Sequence, residues 1–465
     1  MMRKQSRIIP IFAVILITST ALYACVAISD GPQEGFGKIP SASGNWMDYD
    51  SLGNPLYAQT DWWYSSPSST TYTLYKPSEL AGLAFMSYFH GLSFEGKTFI
   101  LSPGTFDMSA HYWEPMCDPN SPFVGTLKGD GAVIWKLYVN QNNSSPSNRG
   151  FIGAVGHTDK AVGSVMNITL SDVYVTGTSS IGAVAGYNKG LISNCHVTGT
   201  VQGTDYTGGI AGYNEGIIEN SMNWADVTGN NYTGGIAGCN IHSAKITSCQ
   251  NMKNTVKGND FTGGIAGYNG SRIDMSFTHL SKIEGRDNTG GIAGLNPGTV
   301  ENCFNAGTVK GRNVVGGIAG DNTDGTVRYC YVTQQGYRNT SIVSGKDYVG
   351  GLAGQNGTIS WSYFFGDWGG NKGKCGPYTG HGGSVKGCYW GGENLYKMPD
   401  GLTYIKATGA RAQHNMHELF DGGDSSPFVV TPDAPKATYG CQLRALQSWG
   451  NVILEGLAKL KLPYN

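Results

Sequence analysis

Charge is scarce in this chain. Only 14% of the 465 residues are Asp, Glu, Lys or Arg, and the net charge is −1. Nucleic acid binding needs a concentrated basic face, so that function class is excluded. Catalytic signatures are absent too. There is no HExxH: His417-Glu418 is followed by Asp421 where the second His belongs, and His414–His417 is an i, i+3 pair, so a zinc peptidase site is not made. No GxxxxGK[ST], no GxGxxG after a strand and no GxSxG elbow occurs, and no two cysteines form a CxxC pair. The apolar run 8–23 is too short and too one-sided for a stable membrane span.

Glycine, by contrast, is abundant: 70 of 465 residues, about twice the usual ~7%. Much of it sits in one recurring phrase. IGAVAGYN at 181–188 returns as TGGIAGYN at 207–214, TGGIAGCN at 233–240, TGGIAGYN at 262–269, TGGIAGLN at 289–296, VGGIAGDN at 315–322 and VGGLAGQN at 349–356. The last glycines of the phrase step by 26, 26, 29, 27, 26 and 34 residues, and a degenerate copy begins at Phe151. Such a period means stacked units that share one continuous core.

Each unit carries the same columns. An Asn closes the phrase: Asn188, Asn214, Asn240, Asn269, Asn296, Asn322 and Asn356. A β-branched strand then ends in a small residue: Cys195, Ser221, Cys249, Ser276, Cys303, Cys330 or Ser362. A second short strand ends in Gly, and a turn follows with Asp205, Asn231, Asp260, Asp287, Asn313 or Asp347. The segments are short, rich in Val, Ile and Thr, and punctuated by Gly and Asn, which reads as strands. A propeller blade needs about 40 residues, more than this period offers. The sequence predicts an all-β right-handed parallel β-helix, three strands per rung, with small α-helical caps at both ends. Like residues then lie about 4.8 Å apart, and the Asn column forms a structural ladder of paired amides.

The phrase G-G-[IL]-A-G-x-N with a following [IV]-x-x-[CS] strand resembles the GLUG repeat, over roughly residues 151–363. The resemblance implies a bacterial surface protein, because GLUG repeats occur in adhesin-like lipoproteins of Bacteroides-type bacteria. They also occur outside the catalytic domain of IgA-cleaving metallopeptidases, whose catalytic motif this chain lacks.

Arg3, Lys4 and Arg7 before the apolar run read as an export signal over 1–25. Leu22-Tyr23-Ala24-Cys25 resembles a bacterial lipobox, which implies lipidation at Cys25 and an outer-membrane, cell-surface location; cleavage after Ala27 and secretion is the alternative. Residues 26–76 read as tether and lead-in, and 77–150 as N-terminal cap and first rungs, with a helix starting at Pro77. The repeats fill 151–363, a Gly-rich irregular loop with the last rungs 364–396, and a C-terminal cap 397–465. In that cap Leu443, Leu446, Trp449 and Ile453 share one helical face. Cys375 and Cys388 flank the Gly-rich loop and are the expected disulfide; the column cysteines are expected as free buried thiols.

Two ligand sites are weighed. Asp205, Asp260, Asp287 and Asp347 could form a column that takes a ligand or Ca²⁺, although Asp and Asn also serve as ordinary turn residues. Tyr187, Tyr213 and Tyr268, with Tyr206, Tyr232, Phe261 and Tyr348, could form aromatic stripes for a glycan or protein, or simply stack across strands. The expected function is a non-enzymatic, adhesin-like binding protein. The alternatives are a polysaccharide lyase or hydrolase, or an accessory domain of a secreted protease system.

Overall fold

A computed structural model describes residues 42–139, 147–157, 161–333, 342–366, 368–371, 375–386, 388–391, 428–430 and 441–443. Cys25, His414, His417 and residues 444–457 lie outside them. The chain divides after Ser41, and every described residue belongs to the second unit.

That unit is a parallel β-solenoid of about 11 turns. One rung shows the plan. Leu191–Ser193 forms wall 1, His196–Gln202 wall 2, Asp205–Gly208 wall 3 and Ala211–Asn214 wall 4, before Ile217–Glu219 starts the next rung. The walls grow to 12, 16, 9 and 9 strands, and successive rungs pair in register. Thus Ile192 lies over Ile218, Ile218 over Ile246 and Ile246 over Ile273.

Three strands per rung were predicted; four walls are seen. The reason is the glycine phrase. It does not form one strand but turns a corner at Gly209-Ile210 and returns as wall 4. Walls 3 and 4 then meet backbone against backbone. A Cβ on Gly212 would lie 2.2 Å from the carbonyl carbon of Ser180, so no other residue fits.

Side chains fill the interior elsewhere. Wall 1 contributes Ile192, Ile218, Ile246, Ile273, Val300, Val327 and Ile359, wall 2 contributes Val201, Val227, Val256, Ile283 and Val309, and the corner contributes Ile210, Ile236, Ile265 and Ile292; all are buried. Each such burial is worth about 1.5–3 kcal/mol, so these columns supply most of the driving force.

The Asn ladder forms with one correction. Asn188, Asn214, Asn240, Asn269, Asn296 and Asn322 are fully buried, and each of the first five amides donates to the next side-chain oxygen at 2.7–2.8 Å. Asn356 leaves it. Its backbone turns left-handed at φ +54°, and its amide donates instead to Thr323 at 3.1 Å.

The solenoid extends to both sides of the repeats, into the stretches read as first and last rungs. It begins at Thr71–Leu74 and stays in register through Thr379–His381, Ser384–Lys386 and Tyr389–Gly391. The Gly-rich stretch therefore adds a regular rung. The Cys375–Cys388 bridge is not formed. Cys375 lies over Val349 on wall 3, whereas Cys388 precedes a wall 2 strand, and all eight described cysteines are free.

At the N-terminal end the predicted helix is present as Pro77–His90, with Pro at its first turn and Gly91 closing it left-handed. Leu80, Leu83, Ala84, Phe85 and Met86 join the core and cover the first rung. The helical face expected to start at Leu443 is not what the described part shows: Cys441–Leu443 is a strand, antiparallel to Phe428–Val430.

Asn240→Ala should lower stability by about 1–3 kcal/mol, because it orphans the Asn269 acceptor in a dry interior. Asn356→Gly should cost well under half of that, since Gly accepts the left-handed φ of +54° and Asn356 is half-buried and outside the ladder. Thermal melts of the two variants check the order; an equal loss would contradict the ladder.

Candidate binding face

Wall 3 owes its outer surface to a backbone irregularity. Tyr206, Tyr232, Phe261, Asn288, Val314 and Tyr348 all take positive φ, between +51° and +58°. One left-handed residue per strand breaks the alternation of faces. The residue before it and the left-handed residue itself both stay half-exposed, while Thr207, Thr233, Thr262 and Thr289 after it turn inward and are buried. The Asp/Asn column and the aromatic column thereby become neighbours on one face.

The Asp column is in register from Asp205 through Asn231, Asp260, Asp287 and Asn313 to Asp347. Its carboxylates already have partners. Asn231 donates to Asp205 at 3.0 Å, and Asn371 donates to Asp347 at 3.0 Å. Arg286 grips Asp260 with two bonds of 3.1 and 2.6 Å, and Arg312 grips Asp287 at 3.3 and 2.7 Å. Burial pushes the Asp287 carboxyl up, but Arg312, Asn313 and Arg286 outweigh it and hold it below the usual value. The column is therefore stapled rung to rung by guanidinium and amide groups. Among the described residues no group of three or more His, Cys, Asp or Glu stands close enough to hold a metal.

The aromatic columns are built as short stacks. Tyr206, Tyr232 and Phe261 lie 5.0 and 4.8 Å apart, nearly parallel. Tyr187 stacks on Tyr213 at 5.4 Å on wall 4. Edge contacts join the two columns: Tyr206 to Tyr213 at 5.4 Å and Tyr232 to Tyr268 at 6.1 Å. Cys239 occupies the wall 4 position between Tyr213 and Tyr268. Tyr348 does not belong to this surface, because Asn288 and Val314 interrupt the column; its ring faces His381 instead.

Polar groups edge the stack. Burial, together with a hydrogen bond to Glu215, pushes the Tyr187 phenol well above its ordinary value. Burial likewise raises Tyr206, Tyr213 and Tyr232. Lys189 and His242 stand 3.3 and 3.4 Å from the Glu215 carboxylate. The face thus offers phenol hydroxyls and ring edges at rung spacing.

Two buried polar groups escaped the sequence reading. Asn223, Asn251, Thr278 and Asn305 fill wall 2 positions that other rungs give to Leu170, Val197, Val332 and Phe364. Asn223 donates to Asn251 at 3.0 Å, and Gly209 opposite has no room for a Cβ, which would fall 2.3 Å from Asn223 Cγ. The available signal was an Asn or Thr two residues after the Cys/Ser column. On wall 1, Asp274 and Glu301 lie on successive rungs, clamped by Arg272 and Arg328.

The GLUG motif profile matches residues 177–202, which span the Ser179–Gly182, Ala185–Asn188, Leu191–Ser193 and His196–Gln202 strands, one full rung. Halomucin from Haloquadratum walsbyi is 38% identical over 84 residues, 18% of this chain and 1% of Halomucin, so the match spans about a hundredth of that protein. A solved structure, a proposed immunoglobulin A1 protease from Bacteroides ovatus, aligns over 91% of this chain and 94% of its own at 15% identity. Its TM-score of 0.33 is too low to carry an argument.

Because the folded state holds the phenol protons of Tyr187 and Tyr213 more tightly than the unfolded chain does, unfolding releases protons at high pH. Stability should fall as pH rises past about 10. Melting temperatures across alkaline buffers check this; a Tyr187→Phe, Tyr213→Phe double variant should lose less.

Proposed function

We propose that this GLUG-repeat solenoid is a non-catalytic binding module of the bacterial cell surface, tethered through Cys25, and that its ligand is a neutral glycan held against the aromatic face. The supporting observation is the joined pair of aromatic columns, half-exposed over Tyr187, Tyr206, Tyr213, Tyr232, Phe261 and Tyr268. A repeating saccharide presents hydroxyls and C–H faces at regular intervals, and a column with one ring per rung offers regularly spaced contacts.

Charge supports the same ligand class. Arg286 and Arg312 neutralise Asp260 and Asp287, Lys189 faces Glu215, and Asp205 accepts a neutral amide from Asn231, so the face concentrates little charge of either sign for a polyvalent cation or a strongly acidic polymer. An enzyme acting on polysaccharide needs two convergent acids with one free to take or give a proton. Asp260 and Asp287 are each fixed in a two-bond guanidinium grip, a geometry that serves structure.

The full chain should bind one or more neutral glycans on an array. Tyr232→Ala should weaken that binding about tenfold, roughly 1.4 kcal/mol, while Asn356→Ala leaves it unchanged. Release of reducing or unsaturated sugar from any polysaccharide would overturn the non-catalytic reading. In cells, Cys25→Ser should move the chain from membrane to soluble fractions; retention on the membrane would refute the tether.

A further inference from the structure

Exposed apolar side chains are concentrated at one end of this molecule. Eight of the exposed large hydrophobic residues fall within 49–89, in the N-terminal cap, and four on all the remaining described chain. Lone surface hydrophobics are ordinary, but a cluster needs a reason.

Six of the eight join in one surface. Residues 48–56 form a small hairpin: Leu56 donates to the Asp48 carbonyl at 2.8 Å and Asp50 to the Asn54 carbonyl at 2.9 Å. Leu52 stands at its tip, 83% exposed, with Leu56 at 56% beside it. The Tyr49 ring meets Phe89, in the last turn of the capping helix, at 4.9 Å, and Phe89 meets Tyr88 at 5.0 Å. Tyr64 joins through its hydroxyl, 3.4 Å from His90. None of this is needed to close the solenoid, because the opposite side of the helix already covers the core.

We infer that this patch is a lipid-docking surface that seats the cap in the headgroup boundary of a zwitterionic membrane and so sets the orientation of the rod. The inference rests on the tethered reading for its place at the membrane. Three observations favour lipid over a protein partner or a second copy. The residue types fit: tyrosines have an apolar body and a wet tip, and leucines lead at the loop tip. The charge fits: no Lys or Arg occurs from residue 39 to 75, while Asp48, Asp50 and Asp61 do, so binding does not depend on anionic lipid. The reach fits: Cys25 precedes Ala42, the first described residue, by 17 residues, at most about 60 Å of extended chain. A lipid on Cys25 holds the cap near the surface at high effective concentration, where a weak apolar patch suffices.

The full chain carrying Cys25→Ser is incubated with phosphatidylcholine vesicles at millimolar lipid and followed by hydrogen–deuterium exchange. Exchange should slow at least threefold in residues 48–57 and 86–90, and nowhere on the rungs. Adding phosphatidylglycerol should not strengthen the effect. Leu52→Asp with Leu56→Asp should abolish it while the rungs keep their native exchange, which shows that the fold is intact. No slowing with vesicles overturns the inference, as does equal slowing without vesicles at raised protein concentration, which would assign the patch to a second copy. The tether is judged separately, by partitioning of the unmodified chain: a soluble wild type refutes lipidation but leaves the vesicle result to decide the patch.

Discussion

Everything in this fold depends on two sheets lying closer than side chains allow. Walls 3 and 4 touch through their backbones, with Gly212 against Ser180 and its equivalents one rung further along at every turn. Stacked sheets normally sit about 10 Å apart, because side chains fill the gap. Here the gap is gone, so the glycine phrase has to return at every rung. The constraint is steric and local, and no polar interaction can substitute for it. Because walls 3 and 4 are fused, the interior is bounded by walls 1 and 2 and by the corner, which is where the aliphatic columns lie.

A stack of near-identical rungs faces a register problem, since sliding one unit costs little if all interior residues are alike. Buried amides raise that cost. Each Asn in the ladder donates to the next and accepts from the previous one, so a slip by a single residue leaves donor and acceptor unpaired in a dry interior. The second amide group, Asn223 and Asn251 on wall 2, adds the same condition on the opposite side. Aliphatic columns supply the driving force and amide columns fix the alignment.

Much of this was legible in the sequence because a period of about 26 residues converts directly into columns. The Asn188 to Asn322 ladder, the Asp/Asn column and the buried Cys/Ser column follow from that step alone, and so does the parallel solenoid. What was not legible came from backbone geometry. Glycine in a repeat suggests positive φ, yet Gly208, Gly209 and Gly212 have ordinary φ, and Tyr206, Tyr232 and Phe261 take the left-handed turn. Nothing in a Tyr or Phe announces that. Asn356 matches the phrase letter for letter but sits where the period lengthens to 34 residues, and its backbone departs with it. Cys375 and Cys388 are close in sequence but on different walls, and spacing alone cannot show a wall.

Left-handed residues with side chains are strained, by about 1–2 kcal/mol each. A solenoid rung does not need that strain on wall 3, since a regular strand would bury Thr207 with less of it. What the strain achieves is a face: two adjacent residues per rung point outward instead of one, so Asp205 and Tyr206 both reach the surface. Strain repeated at Tyr206, Tyr232 and Phe261 with an aromatic ring each time turns the irregularity into a surface. Further along, Asn288 and Val314 keep the left-handed backbone but drop the ring. Earlier, Asn148 and Ser180 do the same, so the backbone device is general to the rungs, and the ring column is confined to three in the middle. A second stack on wall 2, Phe277, Phe304 and Tyr331 at 4.5 and 4.8 Å, is bounded too but mostly buried, so what sets the rings of walls 3 and 4 apart is their half-exposed position beside Glu215, Lys189 and His242.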